Sequence, residues 1–221
     1  MKKFLFRIFI GLLIVGILLA VWVAFDLYRP HLVDIRQFDA DEIARLDTAM
    51  WRSYYDKERL QMFSELTEVL EKQYKLPFWR RQLMAFYAAK AAFVFKEGKS
   101  RENYEKALPD LRKFYGEIRD VSTIEFDVEQ VAKTELEWWI VHRDRKKYQA
   151  DAIPNALAEA ASAIYNVPKE KFLEYGNFRT EAMKIRDTKV EAGGVTEEDW
   201  QKIDELLHKS WRSLHKEVNT K

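Results

Sequence analysis

Asp47, Lys90, Glu135 and His142 are ionisable residues that fall on otherwise apolar helical stripes. The stripes recur at steps of three and four. One reads Ile43, Asp47, Met50, Tyr54; another Trp79, Leu83, Phe86, Lys90, Phe93, Val94; a third Val128, Val131, Glu135, Trp138 or Trp139, His142. A charge taken out of water is costly unless it is paired, so the four are expected to meet one another. Lys90 and Glu135 are the natural partners, within about 4 Å or through one bridging water, with His142 or Asp47 bordering the same space. Such a cluster has two uses. It can be a structural polar network, or it can line a ligand pocket or an acid–base site.

Metal chemistry has a thinner basis. A di-metal carboxylate bundle needs carboxylates from two helices and two Glu-x-x-His pairs, whereas only Glu205 with His208 has that spacing, and Glu205 points away from the apolar stripe Trp200, Ile203, Leu207, Trp211, Leu214. Asp204, His208 and His215 share one edge of that helix and would need ligands from elsewhere to hold an ion; as surface residues they need nothing. No phosphate-binding glycine loop, Gly-x-Ser-x-Gly elbow or His-Glu-x-x-His occurs. The sequence therefore calls for no cofactor and no resident metal.

The charge balance narrows the partners. With 37 Lys and Arg against 36 Asp and Glu, the formal net charge is +1, so no global field draws in nucleic acid. Arginines follow tryptophans at Trp51-Arg52, Trp79-Arg80 and Trp211-Arg212, but neighbours on a helix point about 100° apart, which places each Trp in the core and each Arg outside. No cysteine is present, which removes disulfides, thiolate metal sites and a thiol nucleophile.

What must position these groups begins with Ile8 to Phe25, an uncharged run long enough to span a bilayer and extended backwards to Phe4. A cleaved signal peptide would have a shorter apolar region followed by small residues, whereas Trp22 and Phe25 occupy that zone. An uncleaved anchor over residues 1–28 is expected, contacting the membrane through residues 4–25. Lys2, Lys3 and Arg7 precede it, and Arg29 and Arg36 follow it beside Asp26 and Asp34, which places the N-terminus in the cytoplasm and the remainder outside. Gly11 and Gly16, five apart, form no Gly-xxx-Gly seam.

Residues 29–38 read as a linker and 39–221 as one all-helical domain of about seven antiparallel helices. Asp39, Asp127 and Thr196 are predicted helix caps, each followed by a second polar partner (Glu42, Gln130, Asp199) and flanked by apolar staples. The first helix runs toward Tyr74 with a change of phase near Asp56. Pro77 to Gly98 is apolar nearly all round and is expected inside the bundle, with Gly98 closing it in a left-handed conformation. Pro109 should kink or divide the helix that Ser100 starts. Further helices are predicted from Asp127 to Lys147, Pro154 to Asn166, Pro168 to Ala192, and Thr196 to Val218. Nothing reads as a strand.

Two functional readings follow. The first is a membrane-anchored, all-helical interaction or scaffold module of a bacterial-type cell envelope, single-pass in the inner or plasma membrane, with a protein partner there. The second is an enzyme or ligand-binding protein built on the ionisable cluster.

Overall fold

A computed structural model describes residues 2–191 and 193–220. Among them every regular element is a helix, with one isolated bridge, Val33 to Ser122, as the extended pairing. The helices are α1 (Lys2–Tyr28), α2 (Ala40–Tyr55), α3 (Arg59–Tyr74), α4 (Phe78–Glu97), α5 (Arg101–Glu105), α6 (Leu108–Val121), α7 (Val128–Arg143), α8 (Ala152–Tyr165), α9 (Leu173–Glu191) and α10 (Glu197–Asn219). All-helical architecture behind a long apolar N-terminal helix agrees with the sequence. The nine helices after α1 exceed the expected seven because two are divided. Lys57 takes a left-handed φ of 64° and separates α2 from α3, and Pro109 sits in the first turn of α6, where its missing N–H costs nothing.

Local chemistry sets the remaining ends. Asp39 accepts from the backbone N–H groups of Asp41 and Glu42, and Asp127 from those of Glu129 and Gln130. Thr196 and Asp199 form a reciprocal capping box. Gly98, expected to be left-handed, is instead extended, at φ −65° and ψ 148°. The closing device of α4 is a side chain from another helix: Arg143 donates to the carbonyls of Phe95 at 2.6 Å and Lys96 at 2.9 Å. Orphan carbonyls at a helix end are satisfied this way without a glycine. With Arg143 so engaged, α7 ends there and the chain passes through a 3-10 turn at Arg145–Lys147. The helix expected from Pro168 begins as a 3-10 turn and becomes α9 at Leu173; its expected end, Ala192, lies outside the described residues.

Packing follows a ring. α2 packs on α3, α3 on α4, α4 on α6, α6 on α7, α7 on α8, α8 on α9, α9 on α10, and α10 back on α2. In that ring α4 has partners on two sides only. Its inward face is Met84, Ala85 and Ala91, all fully buried, while Phe86 and Phe93 are 54% and 64% exposed. The expectation of a helix buried all round is thus corrected: Met84, Ala85 and Ala91 face inward, Val94 and Phe95 pack at the edge of the core, and Phe86, Phe93 and Ala92 are left outside.

The stretch 29–38 is no free tether. Val33 exchanges backbone hydrogen bonds with Val121 (2.7 Å) and Thr123 (2.9 Å), and Ile35 and Phe38 are in the core. The end of α1 is also fixed. Trp22 lies against the rings of Phe78 and Trp79, and the buried Asp26 carboxylate accepts the N–H of Trp79 at 2.5 Å, capping α4 from outside. One pole of the ring therefore carries α1, with Asn219 bonded to Arg36 beside it. The opposite pole carries the ends of α2, α4, α7 and α9.

One glycine sets an interhelix distance. A Cβ on Gly176 of α9 would lie 2.4 Å from the carbonyl oxygen of Pro154 on α8, a backbone atom that cannot turn aside. Gly176→Ala is expected to lower unfolding free energy in urea by about 1–3 kcal/mol. Gly116→Ala, which meets open space in α6, should instead gain about 0.5–1 kcal/mol.

Candidate functional site: a polar cavity at the centre of the helix ring

Eight helices in a ring leave a middle that side chains must fill, and here they do so incompletely. A cavity of about 170 Å³ lies between α3, α6, α7, α8, α9 and α10. Its apolar wall is Val131, Leu157, Ala160, Ala161, Ile164 and Leu214; Tyr74, Tyr115, Tyr165, Tyr175, Trp138 and Trp211 bring aromatic rings, and Gln73, Glu135 and Arg179 bring the remaining polar groups.

Arg179 and Asp47 form the deepest ion pair on this wall. Arg179 donates Nη1 to Asp47 Oδ2 at 2.5 Å and Nη2 to Oδ1 at 3.3 Å, and Trp211 Nε1 donates to the same carboxylate at 2.8 Å. The side chains are 12% and 3% exposed. Burial alone would favour loss of the guanidinium proton, but the Asp47 charge and the field of nearby groups outweigh it and raise the Arg179 pKa further. The guanidinium also lies over the rings of Trp51 (5.3 Å) and Trp211 (5.9 Å). Asp47 is thus neutralised completely.

Glu135 is the other acid, and its situation differs. Trp139 Nε1 donates to its Oε1 at 2.9 Å. Trp138, Tyr115 and Arg179 also lie close enough to favour its ionised form. Desolvation is nonetheless the largest influence and pushes the carboxyl above its ordinary value. Burial likewise raises Tyr74, Tyr115, Tyr165 and Tyr175, which keeps these phenols neutral and able to donate. Arg179 is engaged by Asp47, so the cavity retains one carboxylate in excess. An ionised carboxylate offers about four acceptor positions, and the Trp139 hydrogen bond leaves room for further donors.

Of the four residues expected to meet, the structure buries Asp47 and sets the partly buried Glu135 on the cavity wall, with Arg179 as their shared electrostatic neighbour. The expected pairing of Lys90 with Glu135 does not occur. Lys90 is half exposed and binds Asp110 at 3.0 Å, an acid in the first turn of α6 where the helix dipole also favours it. The physical reason is the outward rotation of α4: α6 stands between it and most of α7. His142 is likewise elsewhere, 3.4 Å from Asp187 at the pole away from α1. Arg179 was missed, although Tyr175, Ala182 and Met183 surround it at helical spacing and mark its face as buried.

The residues weighed for metal do not converge. Asp204 accepts from Thr48 at 2.7 Å and stands 3.6 Å from His208 Nε2; His208 Nδ1 is 2.8 Å from Asp41, which also binds Arg212; and His215 lies edge-on to Phe38. Among the described residues no three His, Asp or Glu side chains are grouped to hold an ion. His208 and Asp204 tie α10 to α2.

Breaking the buried pair should separate pairing from burial. Arg179→Met or Asp47→Leu alone is expected to cost about 3–5 kcal/mol in chemical unfolding, because each strands the other charge, whereas the double change should cost far less than the sum. No protein family, curated protein or solved structure matches this chain.

Proposed function

We propose that the chain is a membrane-tethered binding protein whose central cavity takes a small organic cation. The observation that carries this reading is the Glu135 carboxylate, without a counter-ion of its own, on the wall of a partly open cavity lined by aromatic rings. Aromatic faces and a carboxylate together favour an alkylammonium, which gains cation–π contact and a charge-assisted hydrogen bond there. The volume suits a molecule about the size of benzene, which occupies an engineered apolar cavity of about 150 Å³.

The tether is α1. It is long and apolar enough to cross a membrane, and none of it is buried within the fold over its most apolar window. A signal sequence passes the same test. Support for an uncleaved anchor comes from its far end: Asp26 caps α4, and Trp22 packs on Phe78 and Trp79, so removing α1 would uncap a helix of the ring. The Lys and Arg bias around the span favours a cytoplasmic N-terminus, with the helical domain on the outer side of the inner or plasma membrane. A second reading, an interaction module with a protein partner in the cell envelope, is favoured by the outward Phe86 and Phe93 of α4.

Binding is tested on the full chain in detergent by thermal unfolding with alkylammonium ions from methylammonium to tetramethylammonium, against tert-butyl alcohol as a neutral isostere. Stabilisation that rises with the logarithm of cation concentration above Kd, reaching about 2.7 kcal/mol at a hundredfold excess over Kd, is expected for the cations and absent for the alcohol. Glu135→Gln should abolish it while remaining folded. In the unliganded protein that variant should also flatten the pH dependence: a carboxyl raised above 4.5 in the folded state keeps its proton longer than the unfolded chain does, so wild-type stability falls as pH climbs from 4.5 through the raised value. An equal response of the two proteins to cations contradicts the reading. For the tether, an alkaline phosphatase fused after Lys221 is expected to be active, and activity of a cytosol-restricted reporter instead would reverse the orientation.

A further inference from the structure

α3 ends at Tyr74, where Lys75 turns the chain away with a left-handed φ of 53°. The buried row of that helix is Thr67, Leu70, Gln73 and Tyr74, and its last two residues lie on the wall of the central cavity with Glu135. Gln73 and Tyr74 are 5% and 7% exposed. Gln73 donates Nε2 to the Tyr165 hydroxyl at 3.4 Å, near the upper limit for a hydrogen bond. The Tyr74 hydroxyl has no hydrogen-bond partner among the described residues.

A buried hydroxyl left without a partner is costly, and in folded proteins nearly all such groups are answered. Burial pushes the Tyr74 phenol well above the ordinary tyrosine range, so it stays neutral and can both donate and accept. Tyr165, Glu135 and Tyr175 are its electrostatic neighbours. The cavity wall thus carries two unanswered groups of different kinds, a carboxylate and a neutral hydroxyl.

Resting on the cation reading above, we infer that the ligand of this cavity is an amino alcohol, its ammonium group against Glu135 and its hydroxyl bonded to Tyr74. A plain alkylammonium would answer the carboxylate and leave the phenol unpaired. An amino acid would bring a further anion to an interior where Asp47 and Glu135 already outnumber Arg179, and a diamine would set a second cation against neutral groups. An amino alcohol balances the charge and supplies the missing partner. Choline is close in size to the benzene that occupies an engineered cavity of about 150 Å³, and this cavity measures about 170 Å³.

The test compares two pairs of cations by calorimetry on the full chain in neutral detergent: choline with propyltrimethylammonium, and ethanolamine with propylammonium. The members of each pair differ only in a hydroxyl or a methyl group at the end of the chain. Each alcohol is expected to bind at least about fivefold more tightly than its alkyl partner, the effect of one buried hydrogen bond left unmade. Glycine betaine, which carries a carboxylate in place of choline's alcohol, is expected to bind more weakly than choline. Tyr74→Phe keeps the ring and removes the hydroxyl alone. That variant should melt no lower than the wild type, hold the alkyl cations unchanged and bring each ratio to about one, a change that a merely structural hydroxyl would not produce. Alkyl cations held as tightly as the alcohols, betaine held as tightly as choline, or a ratio unchanged by Tyr74→Phe would each overturn the amino alcohol while leaving the cation reading standing. Failure of all four cations to bind would overturn both.

Discussion

The Asp47–Arg179 pair is the interaction on which the interior depends. It joins α2 to α9 across the ring, and Trp211 of α10 adds a third helix by donating to the same carboxylate. Two buried charges are tolerable only because every strong group on them is answered, and the bidentate contact with two flanking indoles does so. By consuming Arg179 the pair also leaves Glu135 without a counter-ion of its own. The surplus charge in the cavity is a consequence of how the ring is tied together.

The ring geometry explains why the cavity exists at all. Four tyrosines, two tryptophans and a glutamine reach toward the centre, and large planar side chains anchored on separate helices meet at their polar tips and do not interdigitate as aliphatic groups would. At α8 the wall is thin because Ala160 and Ala161 face inward, and Gly176 draws α9 against Pro154. Close approach of backbones on that side and long polar side chains on the other set a volume that the apolar core elsewhere does not permit.

Much of this was legible in the chain itself. Capping residues announced three helix starts, since Asp39, Asp127 and Thr196 each bring their own acceptor to the orphan N–H groups. Asp47 was recognisable as an interior acid, and Glu135 as an acid on the core-facing row, from the apolar residues one turn away on either side. Lys90 misled for the converse reason. Phe86 and Phe93 form a stripe that looks like a core face, and only the arrangement of α3 and α6 reveals that the face of Met84, Ala85 and Ala91 is the inner one. Periodicity identifies a stripe without saying which neighbour covers it. Arg179 was passed over because an arginine is usually a surface residue, yet Tyr175 and Met183 mark its row as interior. His142 lay on the expected stripe but near the end of α7, where the ring has opened and Asp187 is within reach.

The central claim is that Glu135 is a desolvated carboxylate facing the cavity as its surplus charge. A direct measurement is the titration of its side-chain carboxyl carbon by ¹³C NMR in glutamate-labelled protein, assigned by the resonance that Glu135→Gln removes. The account predicts a midpoint above the ordinary value of 4.5, raised by burial against the pull of Trp138, Tyr115, Trp139 and Arg179. A midpoint at or below 4.5 would contradict it, because the carboxylate would then be solvated or paired.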